Sequence, residues 1–341
     1  MKRLCYIYPS RRSPGIAIKI QGQVKALQKK YRVTLVQHHY QQEASILSQL
    51  CAYISFELRA LWEMMRSDII YLRYSPKEVP ATLLSLPLAL IKTVYWEHNT
   101  LLENELEVIG RKKEQRRVRQ ILHSSRRFNV SHIAVTQEIK RHLHNYNLKD
   151  EQVLYIQNGY SEKEIDPAKV NSLTLENLDT LKQQVKRLAV FVGSGKSNKW
   201  HGVETIISLT QDHPDLGLII IGDYPENEKH PNVYFTGSLS VDTIYKIYDH
   251  CDFAFGSFNL AINQMQEACP LKVREYLWSG LPVVVNYRDS ARDFDCLRPY
   301  IINLAERPDG VAECMRNSVD KSDIRAHAKS CLSWESLLAI I

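Results

Sequence analysis

Residues 251–280 read Cys-Asp-Phe-Ala-Phe-Gly-Ser-Phe-Asn-Leu-Ala-Ile-Asn-Gln-Met-Gln-Glu-Ala-Cys-Pro-Leu-Lys-Val-Arg-Glu-Tyr-Leu-Trp-Ser-Gly. A short apolar run, 253–255, is followed by a mostly polar loop and then by a segment opened by Pro270 and closed by Ser279-Gly280. Proline at the start of a helix lacks only an N–H that the first turn would leave free, and glycine just past the end stops the helix. The stretch therefore reads strand, loop, helix, the repeating unit of a parallel sheet with helices on its faces.

The same alternation extends outward in both directions. Downstream of 187, strands are expected at 188–192, 216–221, 233–235, 253–255 and 282–286, and helices at 203–209, 241–248, 270–279 and 310–319. Upstream, strands are expected at 4–8, 33–36, 69–72, 93–96, 133–135 and 153–156. Helices fit 21–29, 44–65, 111–128 and 137–146, the last with Thr136 as its N-cap. Residues 161–187 lose the periodicity and are rich in Lys, Glu, Asn and Asp. The expected fold is α/β, with two Rossmann-like, doubly wound parallel-sheet domains facing a cleft. We place an N-terminal domain at 1–165, a linker at 166–187, a C-terminal domain at 188–330, and a C-terminal helix at 331–341 that packs back on the first domain.

In such sheets ligands bind at the carboxyl ends of strands, so the loop before Pro270 is where chemistry is sought. The free N–H groups of Leu271, Lys272 and Val273 form an anion site, and Lys272 adds a full positive charge to it. Glu275 lies five residues beyond Pro270, about 7 to 8 Å along the axis, which matches the reach from a phosphate to the ribose of one nucleotide. A carboxylate only accepts hydrogen bonds, so it suits vicinal hydroxyls and would repel a diphosphate. Glu267, three residues ahead of the helix, would meet a sugar on the other side of the phosphate. Spacing alone equally allows a solvated Glu275 and an incidental Glu267.

Glu267-x7-Glu275, with Pro-Leu-Lys-x-x-Glu-Tyr-Leu and Ser-Gly-Leu-Pro-Val-Val, resembles the donor motif of retaining glycosyltransferases of family 4, which have the GT-B fold. Further segments fall in that family's order: Gly15-Ile-Ala-Ile-Lys19, Trp96-Glu-His98-Asn99 with Glu103 or Glu105, Val135-Thr136 and Ile156-Gln-Asn-Gly159. Phe191-Val-Gly-Ser194, Trp200-His-Gly202, Ile221-Gly222-Asp223 and Phe235-Thr-Gly237 continue it, so the resemblance spans almost the whole chain. It implies a transferase that moves a sugar, a hexose, from a nucleoside-diphosphate sugar to a glycan or lipid-linked acceptor, without metal or other cofactor and with retention of configuration. It assigns donor ribose to Glu275, donor sugar to Glu267, and diphosphate to the backbone near Pro270, Leu271 and Lys272. The family also offers an Arg and a Lys after the first strand of the second domain, the Lys directly before a Gly. Here His201 stands where that Lys is expected, leaving Lys196 and Lys199 as substitutes by proximity, with Ser194 beside them. Base selection is expected from 222–226, including Gly222, and from 235–239.

On the acceptor side, Gly15 ends a loop, 9–15, where backbone could approach the donor phosphate, and Lys19 follows it; a plain turn is the other reading. His98 and Asn99 end one strand and Arg73 ends another. His98 is expected to act on the acceptor or sugar, against the alternative of a structural histidine.

The bulk numbers agree with this picture. At 341 residues the chain is long enough for two cores, and 44 Lys+Arg against 38 Asp+Glu leave +6, a mild excess that suits phosphate-bearing ligands and calls for no nucleic acid. Seven cysteines with no CxxC pair argue for reduced thiols in the cytoplasm and against a zinc site. The longest apolar stretch, 79–91, is interrupted by Pro80 and Pro87 and falls short of the roughly 20 residues that span a bilayer. Residues 111–127 carry eight Lys or Arg with Val118, Ile121 and Leu122 on one helical face. That segment reads either as a solvated helix or as a peripheral contact with anionic lipid at the inner face of a membrane.

Other classes fit less well. Gly193-Ser-Gly-Lys-Ser197 mimics a P-loop of a kinase or ATPase, but the first glycine of that motif would fall on Val190. A dinucleotide fingerprint would need glycine at Asn198. Asp293-Phe-Asp295 follows polar residues rather than a strand, unlike a metal-binding DxD. A sugar-nucleotide-binding partner without catalysis remains as the alternative, because the basic pair after Gly193 is missing.

Overall fold

The computed structural model describes residues 1–8, 14–38, 45–75, 79–195, 199–225 and 230–341, the side chains of Pro14 and Val79 excepted. The chain divides into two compact units, Met1–Gly159 with Trp334–Ile341, and Tyr160–Ser333.

Unit 1 holds a six-stranded, all-parallel sheet in the order β2-β1-β3-β4-β5-β6. Its strands are β1 (Arg3–Tyr8), β2 (Arg32–Gln37), β3 (Ile69–Arg73), β4 (Thr93–His98), β5 (Val130–Ala134) and β6 (Val153–Tyr155). Its helices are α1 (Pro14–Gln28), α2 (Ile46–Arg66), α3 (Val79–Leu88), α4 (Leu102–Val108), α5 (Lys112–Ser125) and α6 (Gln137–His144). Thr136 accepts from the Ile139 amide at 3.1 Å and so caps α6. On one face of the sheet Tyr6, Tyr71 and Ile133 pack with Leu27 of α1 and with Trp334 and Leu338 of the chain's C-terminus. Each such large apolar side chain contributes roughly 1.5–3 kcal/mol on burial. The first helix begins at Pro14, earlier than the pattern suggested, so Gly15 is the second residue of a helix rather than the end of a loop; 9–13 lie outside the described residues.

Unit 2 carries α7 (Ser172–Gln184), β7 (Arg187–Val192), α8 (Val203–Gln211), β8 (Leu216–Ile221), β9 (Val233–Gly237), α9 (Val241–His250) and β10 (Phe253–Phe255). Then follow β11 (Glu267–Ala268), α10 (Leu271–Trp278), β12 (Val283–Val285), β13 (Arg288–Asp289), β14 (Ile301–Asn303), α11 (Gly310–Arg316) and α12 (Lys321–Leu332). The main sheet is parallel in the order β14-β12-β10-β7-β8-β9, and β11 pairs with β13 in a separate ribbon. The strand order reverses direction between β10 and β7, the topological switch point where a crevice opens at the strand ends.

Residues 166–187, expected as a linker, instead contain α7, which buries Thr174, Leu178 and Leu181 and belongs to unit 2. Residues 331–341, expected as one helix, are divided: α12 ends at Leu332, and α13 (Trp334–Leu337) with a terminal 3-10 turn belongs to unit 1. Lys30 donates to Ala339 O at 2.6 Å and Tyr31 to Ile341 O at 2.8 Å, fixing that end.

Candidate functional site

Three consecutive side chains of α10 tie it to four neighbours. Arg274, fully buried, pairs with Asp289 at 2.7 Å and donates to Ser290 Oγ at 2.6 Å. Tyr276 Oη accepts from the Val192 amide at the end of β7, at 2.8 Å. Glu275 accepts from Tyr248 Oη of α9 at 2.9 Å. The Val273 side chain is wholly buried. The helix N-terminus is thereby held beside the end of β7, at the switch point. Pro270 is its N-cap and makes no side-chain cap bond, so among the described residues the first N–H groups are free to meet an anion.

Lys272 projects from this first turn. Its Nζ is buried without a hydrogen-bond partner among the described residues and lies 4.2 Å from the centroid of Phe191 and 5.5 Å from that of Trp200. Burial pushes its pKa down to about 7, against the attraction of Glu275. Burial likewise pushes Glu275 up to about 7, against its bond from Tyr248 and the charges of Lys163 and Lys272. Parts of both side chains remain exposed, so it is their ionisable ends that have lost water. Two charged ends kept dry this close to an uncapped helix start cost stability unless a ligand completes them.

His201 adjoins the same region. Its Nδ1 lies 2.5 Å from Tyr224 Oη, and burial, with Lys272, pushes its pKa down to about 3, so it is neutral. It cannot supply the charge of the lysine expected there. Lys199 and His201, with Glu204, Tyr224 and Phe235, line a cavity of about 600 Å³, within the usual range of small-molecule sites. Ser194 is exposed after β7, and Lys196 lies outside the described residues. Gly222 is buried in the framework: at φ +130°, a Cβ there would stand 2.2 Å from Gly193 O, and its amide bonds Gly237 O at 2.9 Å. It locks the loops after β7, β8 and β9 together.

Glu267, 2% exposed, forms an ion pair with Arg288 at 2.6 Å across the β11–β13 ribbon. Arg288 also reaches Asp293, so the first Asp of the apparent DxD is an ion-pair partner. Neither Arg288 nor the Arg274–Asp289 pair was legible as part of the site, because both partners come from the polar loop after β12 and follow no spacing rule. Tyr248 gave no signal either.

In unit 1, Lys19 is 2% exposed and fully occupied: it pairs with Glu97 at 2.8 Å, donates to Asn158 Oδ1 at 2.6 Å, and bonds Asn99 Oδ1. An ammonium has three donors, so Lys19 joins β4 to the segment after β6 and has nothing left for an acceptor. Burial pushes Glu97 up, but Lys19, Arg73 and the bonds from Lys19 and Gln23 outweigh it and hold the carboxyl below its ordinary range. His98 is buried, with Nε2 3.0 Å from His132 Nδ1 and the two rings stacked at 5.2 Å. Burial, with His132 and His142, pushes its pKa well down, and burial pushes His132 down to about 3, so neither is charged near neutrality. Arg73, Asn99 and His98 line a cavity of about 150 Å³, and Arg73 Nη1 and Asn99 Nδ2 are buried without hydrogen-bond partners among the described residues. The structure therefore brings Arg73, His98 and Asn99 together. It places Lys19 against Asn99 with all three of its donors used, and leaves Gly15 exposed at the start of α1.

The basic segment forms α5 with Val118, Ile121 and Leu122 turned inward, and Arg119 pairs with Glu103 at 2.7 Å. Its outer face is cationic and carries no apolar side chain to insert into lipid.

Two parallel-sheet units of this order define the GT-B fold shared by glycosyltransferases that use nucleotide sugars. No family model and no curated protein matches the sequence. Solved structures do match. HepE of Anabaena, crystallised with UDP-glucose, is similar over 100% of this chain and 98% of its own at a TM-score of 0.64 and 15% identity. WaaG, a glycosyltransferase involved in lipopolysaccharide biosynthesis, is similar over 97% of this chain and 95% of its own, with a TM-score of 0.58 and 11% identity. The UDP-GlcNAc 2-epimerase of Neisseria meningitidis, solved with UDP-GlcNAc, covers 99% of this chain and 100% of its own at a TM-score of 0.50 and 15% identity. At these identities the likeness establishes the fold.

Proposed function

We propose that the protein is a retaining glycosyltransferase that binds a nucleoside-diphosphate sugar in unit 2 and transfers its hexose to a glycan or lipid-linked acceptor in cytoplasmic glycoconjugate synthesis. The observation that carries this reading is the buried ammonium of Lys272, without a hydrogen-bond partner among the described residues, at the start of α10, one helical turn from Glu275. A diphosphate there accepts from the Leu271 to Val273 amides and from Lys272, while its ribose hydroxyls donate to Glu275. The cavity beside Tyr224 and Phe235 has room for the base. The UDP-glucose held by HepE, on the same fold, supports a ligand of this class.

Breaking the sugar–phosphate bond builds negative charge on the departing diphosphate. Fixed N–H dipoles and Lys272 are placed to stabilise that charge as it forms, so turnover is expected without a metal. Glu267, held by Arg288, would orient the donor sugar, and the leaving phosphate would take the acceptor's proton. Arg73, His98 and Asn99 are proposed to position the acceptor; neutral His98 can exchange hydrogen bonds with a hydroxyl but is a poor acid at neutral pH. The test is donor consumption with a panel of UDP-, GDP- and ADP-sugars, with and without EDTA. Turnover of one donor that persists in EDTA is expected; activity lost in EDTA and restored only by a divalent cation would contradict the metal-free step. The ion pair that occupies Glu267 favours a second reading, a protein that binds a sugar nucleotide without transfer, which would show saturable donor binding and no turnover with any acceptor.

A further inference from the structure

The outward face of α2 in unit 1 is apolar along its whole length. Leu47, Leu50, Ile54, Leu58, Trp62 and Met65 are between 48% and 70% exposed and fall within about 120° of one another around the helix. Phe56, Ala60 and Met64, on the far side, are buried. Helix α3 runs alongside: Glu57 of α2 sits near the Ala81 backbone, and Lys92, just past α3, donates to the carbonyls of Met64, Met65 and Ser67 at 3.0, 2.7 and 2.6 Å. It adds exposed Leu83 and Leu84, then Leu90 and Ile91. No residue from 79 to 91 is charged.

The polar groups on this side of α2 line one edge: Ser48, Ser55, Arg59 and Arg66, all exposed. Glu57 and Glu63, the helix's acids, are half-buried, Glu57 beside the Ala81 backbone of α3 and Glu63 near Cys5 of β1. The Arg66 guanidinium lies 5.1 Å over the ring of Trp62, an aromatic with a cation at its rim. The connections β2–α2–β3, β3–α3–β4 and β4–α4–α5–β5 all step in one direction across the sheet, and right-handed crossovers place them on one face. Exposed Lys112, Lys113, Arg116 and Arg117 of α5 thus belong to the same layer.

We propose that this layer docks on a bilayer containing anionic lipid, with the apolar side chains of α2 and α3 entering the boundary between headgroups and acyl chains. Arg59 and Arg66 sit at the waterline, where long cationic side chains lie along apolar surface and keep their heads wet. The exposed cations of α5 add attraction toward the same surface. A protein partner would find few hydrogen-bonding groups on this face, whereas specific protein interfaces carry about one hydrogen bond per 100–200 Å²; a fluid apolar phase with negative headgroups matches both its composition and its one-sided charge. The helices lie on the membrane: among the described residues no helix is long and apolar enough to cross one. The inference does not depend on the transferase reading.

The test is flotation of the full chain with vesicles of phosphatidylcholine alone or mixed with phosphatidylglycerol. The wild type should float with the mixed vesicles. Leu58→Asp/Trp62→Asp should reduce binding by at least roughly tenfold, and Arg59→Gln/Arg66→Gln by roughly fivefold per arginine. All four side chains are exposed, so unchanged melting temperatures should accompany both losses. Failure of the wild type to float, or flotation of the aspartate variant equal to wild type, would overturn the proposal. So would a wild-type dimer in sedimentation that the aspartate variant dissolves, because the face would then be an interface between copies.

Discussion

Unit 1 and unit 2 each bury a lysine near the carboxyl ends of their strands, and the two are in opposite states. Lys19 is closed off by Glu97, Asn99 and Asn158. Among the described residues Lys272 meets the faces of Phe191 and Trp200 and a carboxylate one turn away. A buried cation whose three donors are used belongs to the framework. One that is dehydrated and has no hydrogen-bond partner among the described residues costs the fold stability on its own, which is the ground for proposing it as a ligand contact.

The largest effect is expected from Lys19→Met. It leaves Glu97 buried without its cation, and losing one member of such a pair typically costs about 3–5 kcal/mol. Chemical denaturation followed by a probe in unit 1 should show that loss. A change under 1 kcal/mol would mean that Lys19 is as free as Lys272.

Lys272→Met should do the reverse. It removes a dehydrated charge, so melting of the ligand-free protein should be unchanged or higher, while affinity for the nucleoside diphosphate falls by about 2–3 kcal/mol, the scale of a charge-assisted hydrogen bond to phosphate. Protonation follows the same logic. The folded pKa of Lys272, about 7, lies below its unfolded value, so the folded state binds fewer protons and this group's contribution rises as pH climbs from about 7 toward 10. Glu275, raised to about 7, retains its proton longer when folded, so its contribution falls as pH climbs from about 4.5 to 7. The pair therefore costs most near neutrality, where a ligand relieves it. At pH 8 free Lys272 is mostly neutral and a bound phosphate restores its proton, so binding should take up close to one proton. Calorimetry in buffers of different ionisation enthalpy measures this uptake, and Lys272→Met should abolish it; uptake unchanged in the variant would place the proton elsewhere.

The sequence disclosed what is local. The apolar runs that became β7, β8 and β10 are nearly continuous, as strands buried on both faces must be, and Pro270 with Gly280 framed α10 and so located Lys272 and Glu275. Helix α7 escaped notice because Leu178 and Leu181 are diluted by Asn, Asp, Lys and Gln, and α12 because Ile324, Ala328 and Leu332 make a thin stripe. The strand β14 has three residues and follows Pro299 and Tyr300, too short for a pattern. Side-chain partnerships were hidden for a different reason. Whether Lys19 serves a ligand or the framework depends on Glu97 and Asn158, which lie 78 and 139 positions along the chain, and Glu267 meets Arg288 only through a two-residue ribbon. The apolar face of α2 was within the pattern, but nothing local shows that it stays uncovered.

A donor site at the start of α10 can be measured by thermal shift of the wild type and Glu275→Ala with UDP, GDP, ADP, CMP and NAD. A ligand at about 100 times its Kd stabilises the folded state by about 2.7 kcal/mol, which is readily seen. One nucleoside diphosphate should raise the melting temperature of the wild type, and Glu275→Ala should lose most of that rise. No response to any nucleoside diphosphate, or an equal response in the variant, would contradict a donor site at the start of α10.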